Sequence, residues 1–320
     1  RRRATAKALP DTVRAYSGQL PMRDATEAVA DAALTVQEDA RKPAAGRFTG
    51  GSAYRKSFRQ GATLVPRMLC LVERKSLGRL GGDPTAPFVA SRRNNQEKQP
   101  WKSLGGVEHR VEAEFLRPIL LGESILPYRV WRPFEGVVPV SAEGEVLDAQ
   151  AAANRGYSGL HSWMSSAEAI WNANAENDSM SLVGRWNYHN ELGAQFPISR
   201  LRIVYAKAGT LPAACLVREG ASIDHMLYWW SPRSEAEACY LVAILNSETS
   251  RARVAAMQAR GQFGARHFDK VMFNLPIPPF EPSEALHNEL AAAAAEAERI
   301  AAAFELPETV KFQRARQLTR

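Results

Sequence analysis

The chain has 320 residues, of which 45% are hydrophobic and 23% charged, and its formal net charge is +7. This composition is typical of a folded protein with room for one large domain or two ordinary ones. It excludes collagen-like, fibrous and wholly disordered proteins. No apolar run approaches the roughly 18 residues that a membrane-spanning helix requires, so no membrane partner is expected.

The N-terminal residues are helix-permissive and then basic. The Ala-rich stretch 24–41 predicts a helix, and residues 1–45 together form a predicted helical or linker segment. The next stretch, KPAAGRFTGGSAYRKSFRQG, is rich in glycine, serine and basic residues, with Phe48, Tyr54 and Phe58 between them. It predicts a mobile basic loop. Because the chain lacks an initiator Met, we expect it to be part of a longer protein or a processed one.

Residues 46–281 alternate between strand and helix patterns. Strands are predicted around a turn at Glu135 and Gly136, and over residues 63–73, 87–91, 201–206, 213–218, 223–230 and 271–275. Helices are predicted over residues 112–121 and 249–259, and after Ser-x-x-Glu capping patterns that begin at Ser165 and Ser234. The three runs between residues 201 and 230 predict an antiparallel meander.

The C-terminal region is predicted to be helical. A proline-rich connector over residues 276–282 precedes a long helix, one face of which carries Leu286, Leu290, Ala297, Ile300 and Phe304. A basic helical tail follows, so residues 282–320 are predicted to form a C-terminal helical arm. The predicted fold class is α+β, with a mixed, mostly antiparallel sheet, surrounding helices and that arm.

Positive charge is concentrated in three stretches that contain no acidic residue. These cover residues 40–72, 250–267 and 311–320. A basic chain with a pI near 9.4 favours a polyanionic partner, and such clustering is typical of a phosphate-binding surface. The alternative is three solvated surfaces without a ligand.

The sequence lacks the motifs that methyl transfer to adenine requires. Such an enzyme needs an (Asp/Asn/Ser)-Pro-Pro-aromatic run, whose polar residue accepts hydrogen bonds from the target amine. The nearest run, 277–280, has Ile277 in the polar position, and isoleucine offers no acceptor. The glycine pairs lack the strand and acidic residue of a methyl-donor site. We therefore predict no catalytic residue and no cofactor in this chain.

A second enzymatic possibility is a metal-dependent nuclease. Glu73 and Lys75, at the end of an apolar strand, resemble half of such a site, which also needs an upstream aspartate to share the metal ion. The nearest upstream acid, Asp39, is separated from them by a strand and the basic loop. A nuclease domain is therefore the alternative function, and a surface ion pair is the structural alternative. The cysteines and histidines are too scattered for a zinc site, so no metal is predicted.

Five runs of the sequence carry a family resemblance. They are QGATLVPR at 60–67, GRWNYHNELGAQFPISRLRIVY at 184–205, YLVAILNSE at 240–248, ARGQFGARHFDK at 259–270 and LPIPPFEP at 275–282. Together they resemble the C-terminal half of the large N-6 adenine DNA methyltransferases of restriction-modification and phage-exclusion systems. The segment 240–282 carries the resemblance most specifically, because order and spacing agree there as well as residue type.

This resemblance implies a target-recognition domain over residues 46–281 that reads DNA sequence beside a flipped adenine. It implies two partners, double-stranded DNA and a methyltransferase catalytic domain, the latter in cis or as a subunit. S-adenosylmethionine is expected in that catalytic domain, outside this chain. A bacterial, cytoplasmic protein associated with the nucleoid is expected.

DNA contacts are predicted from basic, amide and aromatic side chains. Arg260 and Arg266 suit phosphate or guanine, Gln262 suits adenine, and the glycines between them allow close backbone approach. The full set of candidates is Lys56, Arg59, Arg67, Arg185, Trp186, Tyr188, Arg251, Arg260, Gln262, Arg266 and His267. The structural alternatives are a tight turn at 260–267 and core positions for the aromatic residues. A non-enzymatic protein-interaction domain is the third functional class.

Overall fold

The computed structural model describes residues 12–22, 24–40, 51–76, 78, 82–93, 97–175, 180–209, 211–255, 260–261, 264–265 and 268–319. The chain divides into two compact units, Arg1–Gly50 and Gly51–Arg320. The boundary predicted between residues 45 and 46 lies outside the described residues.

The first unit contains a pair of strands with a helix between them in sequence. β1 (Thr12–Ser17) pairs antiparallel with β2 (Thr35–Ala40), and α1 (Glu27–Ala33) connects them. The prediction of a single helix over residues 24–41 is therefore wrong beyond Ala33. Thr35 and Val36 are β-branched and favour extended backbone, and β1 supplies the hydrogen-bonding partners.

The second unit contains two main sheets with helices around them. Its strands are β3 (Arg59–Gln60), β4 (Leu71–Arg74), β5 (Phe88–Ser91), β6 (Glu108–Arg110), β7 (Leu116–Leu120), β8 (Ile125–Leu126), β9 (Arg129–Val130), β10 (Phe134–Val137), β11 (Arg202–Ala206), β12 (Ala214–Val217), β13 (Ser222–Ile223), β14 (Leu227–Trp230), β15 (Arg260–Gly261) and β16 (Gly264–Ala265). Its helices are α2 (Ala149–Asn154), α3 (Ser158–Asn174), α4 (Leu182–Trp186), α5 (Glu235–Asn246), α6 (Glu248–Ala255), α7 (Asp269–Met272), α8 (Ala285–Ala303) and α9 (Phe312–Leu318). The predicted α+β class, with mostly antiparallel strands and C-terminal helices, is confirmed.

The larger sheet has the order β13-β7-β10-β4-β5-β6. β13 runs parallel to β7, and the other described pairs of this sheet are antiparallel. α3 packs beside β6 and α2, and the face it buries carries Leu160, Trp163, Met164, Ala167 and Trp171. The Trp163 indole Nε1 donates to the Leu69 carbonyl at 3.0 Å, which ties the helix to the chain that enters β4.

The smaller sheet has the order β12-β11-β14-β3, with antiparallel pairs throughout the described part. The predicted strands over residues 201–206 and 213–218 are confirmed as β11 and β12, but the predicted strand 223–230 divides into β13 of the larger sheet and β14. The predicted meander is wrong, because β11 lies between β12 and β14 and pairs with both. α5 packs on β11 and β12, and α8 packs on α5. As its capping pattern predicts, α5 begins after Ser234, whose hydroxyl accepts from the Glu237 amide at 3.1 Å.

Two predictions between residues 112 and 140 are wrong. Residues 112–121 form a short 3-10 turn followed by β7, because Pro118 cannot donate a helical hydrogen bond and β10 and β13 pair with the strand. Glu135 and Gly136 lie inside β10 rather than at a turn. A Cβ at Gly136 would lie 2.3 Å from Ile119 Cδ1 and 2.8 Å from the Cys70 carbonyl oxygen, so this glycine allows the close approach of neighbouring strands.

Two further predictions are corrected by packing. Ser165 lies within α3 instead of before it, and the helix N-terminus is capped from a distance by Glu112, whose carboxylate accepts from the amides of Gly159 and Leu160 at 2.8 Å. Residues 271–275 are not a strand, since α7 covers Asp269–Met272. Phe268 and Met272, one helical turn apart, are both buried, so the helical backbone buries two large side chains.

The described part of the predicted basic loop is anchored by its aromatic residues. Tyr54 and Phe58 are buried and lie 5.3 Å and 5.9 Å, centroid to centroid, from the ring of Trp230. The Tyr54 hydroxyl accepts from the Phe280 amide at 2.7 Å and donates to Glu237 at 3.3 Å. Among the described residues, no helix is both long and apolar enough to cross a membrane.

Candidate nucleic-acid interface

Two of the predicted DNA-binding residues, Arg67 and Arg185, meet at one cavity. The cavity has a volume of about 690 Å³ and is built from several separate stretches of chain. Its walls are residues 65–67, 97–101, 171–175 (in part), 185 and 225–226. These residues are distant in sequence, so tertiary folding brings the two arginines together.

The segment that carries Arg67 is held against the turn that carries His225. The Ala62 amide donates to the Ile223 carbonyl at 2.8 Å, and the His225 amide donates back to the Ala62 carbonyl at 2.8 Å. Gly61 makes this possible, because a Cβ there would lie 2.3 Å from the Ile223 carbonyl oxygen. The position of the QGATLVPR segment is therefore fixed, and this places Arg67 beside His225.

The cavity is electrostatically positive. Arg67, Lys98, Arg185 and His225 line it, and Glu97 is the one carboxylate in its described lining. Neither Lys98 nor Arg185 has an ion pair among the residues that the structure describes. Such unpaired cations on a concave wall attract anionic ligands, since their field is less screened there than on open surface.

Two buried or half-buried acids set the position of Arg67. Its guanidinium lies 4.0 Å from Asp224 Oδ1, and its backbone amide donates to Glu97 Oε1 at 2.9 Å. Asp224 is fully buried, and its other oxygen lies 3.0 Å from Nδ1 of His225. Burial raises the pKa of Glu97, and the Arg67 amide and guanidinium oppose that rise.

A second, smaller cavity of about 300 Å³ is electrostatically connected to the first through Glu191. Arg59, His189 and Glu191 line it. Burial raises the pKa of Glu191, while a hydrogen bond from Thr63 and the positive charges of His189, His225 and Lys207 lower it. His189 lines the smaller cavity and His225 the larger one, so groups from both cavities act on Glu191. We therefore treat the linings of the two cavities as one surface. We call it the basic surface and define it by Arg59, Arg67, Lys98, Arg185, His189 and His225.

Other predicted contact residues lie at varied places. Lys56 and Arg59 are exposed on the chain that enters and forms β3, and Tyr188 is exposed with its ring 4.0 Å from that of His189. Arg251 bonds to Glu248 through Nε at 2.7 Å, so part of its charge is offset. Within the predicted Arg260–His267 turn, β15 pairs antiparallel with β16, and we call these two strands the hairpin. The side chain of Arg260, together with Gln262, Arg266 and His267, lies outside the described residues.

Phe268 lies three residues after β16, and its contacts lead toward the basic surface. Its amide donates to the Lys207 carbonyl at 2.7 Å. Lys207 Nζ in turn donates to Gln60 Oε1 at 2.8 Å, next to Arg59. Phe268 is therefore connected through Lys207 and Gln60 to a member of the basic surface.

Trp186 is a core residue. Its side chain is fully buried, and its Nε1 donates to the Val65 carbonyl at 3.3 Å. A base cannot stack on an indole that has no exposed face, so the predicted base contact by Trp186 does not fit this position. The sequence places Trp186 between Arg185 and Tyr188, and local pattern could not separate the buried residue from the exposed ones.

Replacing Trp186 with Ala is expected to lower the free energy of unfolding by about 3–5 kcal/mol, because a large cavity replaces the indole. Trp186→Phe should retain most of the packing and lose about 1 kcal/mol with the hydrogen bond to Val65. Urea unfolding followed by circular dichroism measures both. An alanine variant as stable as the wild type would contradict the core position.

The nuclease candidate residues form a surface ion pair. Lys75 Nζ lies 2.6 Å from Glu73 Oε1, and both side chains are about half exposed. The contact with Lys75 lowers the pKa of Glu73. A lowered pKa is expected for a carboxylate in an ion pair, whereas a carboxyl group that shares a proton would have a raised pKa. In the described part of the chain, no group of three His, Cys, Asp or Glu side chains is arranged to hold a metal ion.

Several cavity residues were not predicted from the sequence. Glu97, Lys98 and Trp101 lie in a loop, and Trp171 and His225 come from a helix and a turn. No motif or short spacing connects them, because the loop, the helix and the turn meet only in the folded chain. The sequence pointed toward this surface through Arg59 and Arg67, which lie in the acid-free basic stretch 40–72, and through Arg185.

No protein-family model matches this chain, and no curated protein sequence gives a significant match. A solved structure of a restriction enzyme is among those similar to this chain. That structure is the type IIG restriction endonuclease BpuSI, with a TM-score of 0.37 and 14% sequence identity. The similarity covers 79% of this chain and 30% of the endonuclease chain, so this chain spans about 30% of the length of that structure.

Proposed function

We propose that this chain recognises double-stranded DNA for an adenine-N6 DNA methyltransferase of a restriction-modification or phage-defence system. Methyl transfer, with its S-adenosylmethionine, is assigned to a catalytic domain outside this chain, in cis or as a subunit. The observation that carries the proposal is the convergence of Arg67, Arg185 and Lys98 on one cavity. The resemblance of five sequence runs to N-6 adenine methyltransferases supplies the methyltransferase context.

The chemistry of the basic surface suits a nucleic-acid backbone. Arginine presents a planar fork of donors that matches phosphate or the major-groove edge of guanine, and lysine adds a point charge. The basic side chains line two cavities rather than one, and this arrangement suits contact with several phosphates. Phosphate contacts position such a protein, and base contacts then select the sequence.

The test is the salt dependence of duplex binding. If Arg59, Arg67, Lys98 and Arg185 each neutralise one phosphate, the slope of log K against log salt should be near about −3.6, and steeper with contacts from the hairpin. Fluorescence anisotropy of a labelled duplex across a series of salt concentrations measures this slope. A slope near zero would favour the protein-interaction class, and magnesium-dependent cutting that Glu73→Gln abolishes would favour the nuclease.

Glu97 should make DNA binding depend on pH. Because burial raises its pKa, Glu97 binds a proton in the folded protein at a higher pH than it would in the unfolded chain. As the pH falls from 7 toward that raised pKa, the burial cost of its charge is relieved and the cavity loses its negative group. Glu97→Gln should therefore bind duplex DNA about two- to fivefold more tightly at pH 7, as expected for one partly screened charge.

This advantage of Glu97→Gln over the wild type should shrink as the pH falls. Both proteins keep His189 and His225, so the contribution of these histidines is common to both and cancels in the comparison. The ratio of the affinity of Glu97→Gln to that of the wild type, measured at pH 7, 6 and 5, tests this expectation. A ratio that stays constant over this range would show that Glu97 does not titrate beside the DNA.

A further inference from the structure

Two tryptophans form a stacked wall in the larger cavity. The rings of Trp101 and Trp171 lie 5.5 Å apart, centroid to centroid, with an angle of 15° between their planes. Trp171 is 6% exposed, and its Nε1 donates to the Met180 carbonyl at 2.9 Å, so its ring is fixed from behind. Trp101 is half-buried, and both tryptophans are among the residues that line the cavity. The cavity therefore offers a rigid aromatic platform.

The same cavity carries polar groups of two kinds. Lys98, Arg185 and Arg67 supply positive charge, and Gln99 and Asn174 add amide groups to the lining. The aromatic platform and the cations match two parts of a nucleotide, the face of a base and a phosphate.

The size of the cavity is consistent with one nucleotide. Its volume of about 690 Å³ is within the range of small-molecule sites, roughly 300–1,000 Å³, and far below what a segment of duplex occupies. In a duplex, the faces of the bases are covered by their neighbours in the stack. A base can lie against Trp101 only after it leaves that stack.

We infer that this cavity holds a single nucleotide of the bound DNA that has left the base-paired stack. Its base lies against the Trp101 platform, and its own phosphate and the phosphates that flank it lie among Lys98, Arg185 and Arg67. This inference rests on the proposed DNA-binding function and adds the form of DNA that the site takes.

The test compares three labelled duplexes of the same sequence. The first is fully paired, the second carries one extra unpaired adenosine, and the third carries an abasic residue in place of that adenosine. The two bulged duplexes have the same number of backbone units and phosphates, so their chemical difference is confined to the base. The wild type should bind the adenosine bulge about tenfold more tightly than the abasic bulge, as a base stacked on an aromatic side chain contributes.

Variants connect this preference to the cavity. Trp101→Ala should reduce affinity for the adenosine bulge to that for the abasic bulge, and Trp101→Phe should keep part of the preference. Trp131→Ala is the matched control, because Trp131 also stacks on an aromatic ring, that of Phe312, and does not line this cavity. Thermal unfolding of each variant shows whether it is folded at the temperature used for binding.

The outcomes separate the inference from the proposed function. Equal affinity for the two bulged duplexes, with salt-dependent binding of the paired duplex intact, overturns the inference alone. A Trp101→Phe or Trp101→Ala variant that keeps the full preference also overturns it. If no duplex binds in a salt-dependent manner, the proposed function fails, and the inference fails with it.

Discussion

The double variant Arg67→Gln, Arg185→Gln is expected to bind duplex DNA on the order of 100-fold more weakly than the wild type, about tenfold for each charge-assisted hydrogen bond to phosphate that is removed. Its salt dependence should also become shallower, with a slope reduced by about 1.8, because two fewer counterions are released. Both arginines line the same cavity and are partly buried, so their bonds to phosphate are more shielded from solvent than those of surface side chains. Anisotropy titrations at several salt concentrations give affinity and slope together.

A control variant with the same change in net charge tests whether binding depends on where the two arginines lie. Arg155 and Arg299 are exposed and paired with Glu145 and Glu296, away from the cavity lining. Arg155→Gln, Arg299→Gln removes two positive charges, and it should keep the wild-type slope. An equal drop in affinity in both double variants would mean that net charge rather than the basic surface determines binding.

Gly61→Ala is expected to have the largest effect of any single-methyl change near the site. A Cβ at Gly61 would lie 2.3 Å from the Ile223 carbonyl oxygen and 2.4 Å from that of Asp224. Both are backbone atoms, so relief requires movement of the chain rather than of a side chain. We expect a decrease of about 1–3 kcal/mol or more in the free energy of unfolding. DNA affinity should also fall, because the displaced segments carry Arg67 and His225.

Gly105→Ala provides the matched control for this change. A Cβ at Gly105 has no described atom within 4 Å, and its backbone does not require a glycine conformation. That variant should unfold at the wild-type urea concentration and bind DNA normally. Equal midpoints for Gly61→Ala and Gly105→Ala would show that the 60–67 segment can shift freely, and would remove the argument that its geometry places Arg67.

The amino-acid sequence alone predicted the features that depend on residues close together in the chain. The strands at residues 202–206, 214–217 and 227–230 follow short runs rich in apolar residues that are separated by turns. The helix after Ser234 follows a hydroxyl three residues before its partner amide. The α+β class follows from such local signals. The basic stretch 40–72 likewise predicted Arg59 and Arg67 as surface cations, because the clustering of charge is visible without knowledge of the fold.

Tertiary structure decided the features that depend on distant partners. Residues 112–121 have an apolar spacing that suits a helix, yet β7 forms there because β10 and β13 supply hydrogen bonds on both sides. Trp186 is buried while Tyr188 is exposed, and only the packing against Val65 distinguishes them. The cavity itself joins a loop, a helix and a turn that are up to about 160 residues apart in the chain. Local pattern specifies backbone preference and side-chain chemistry, and the packing of remote segments specifies which side chains share a site.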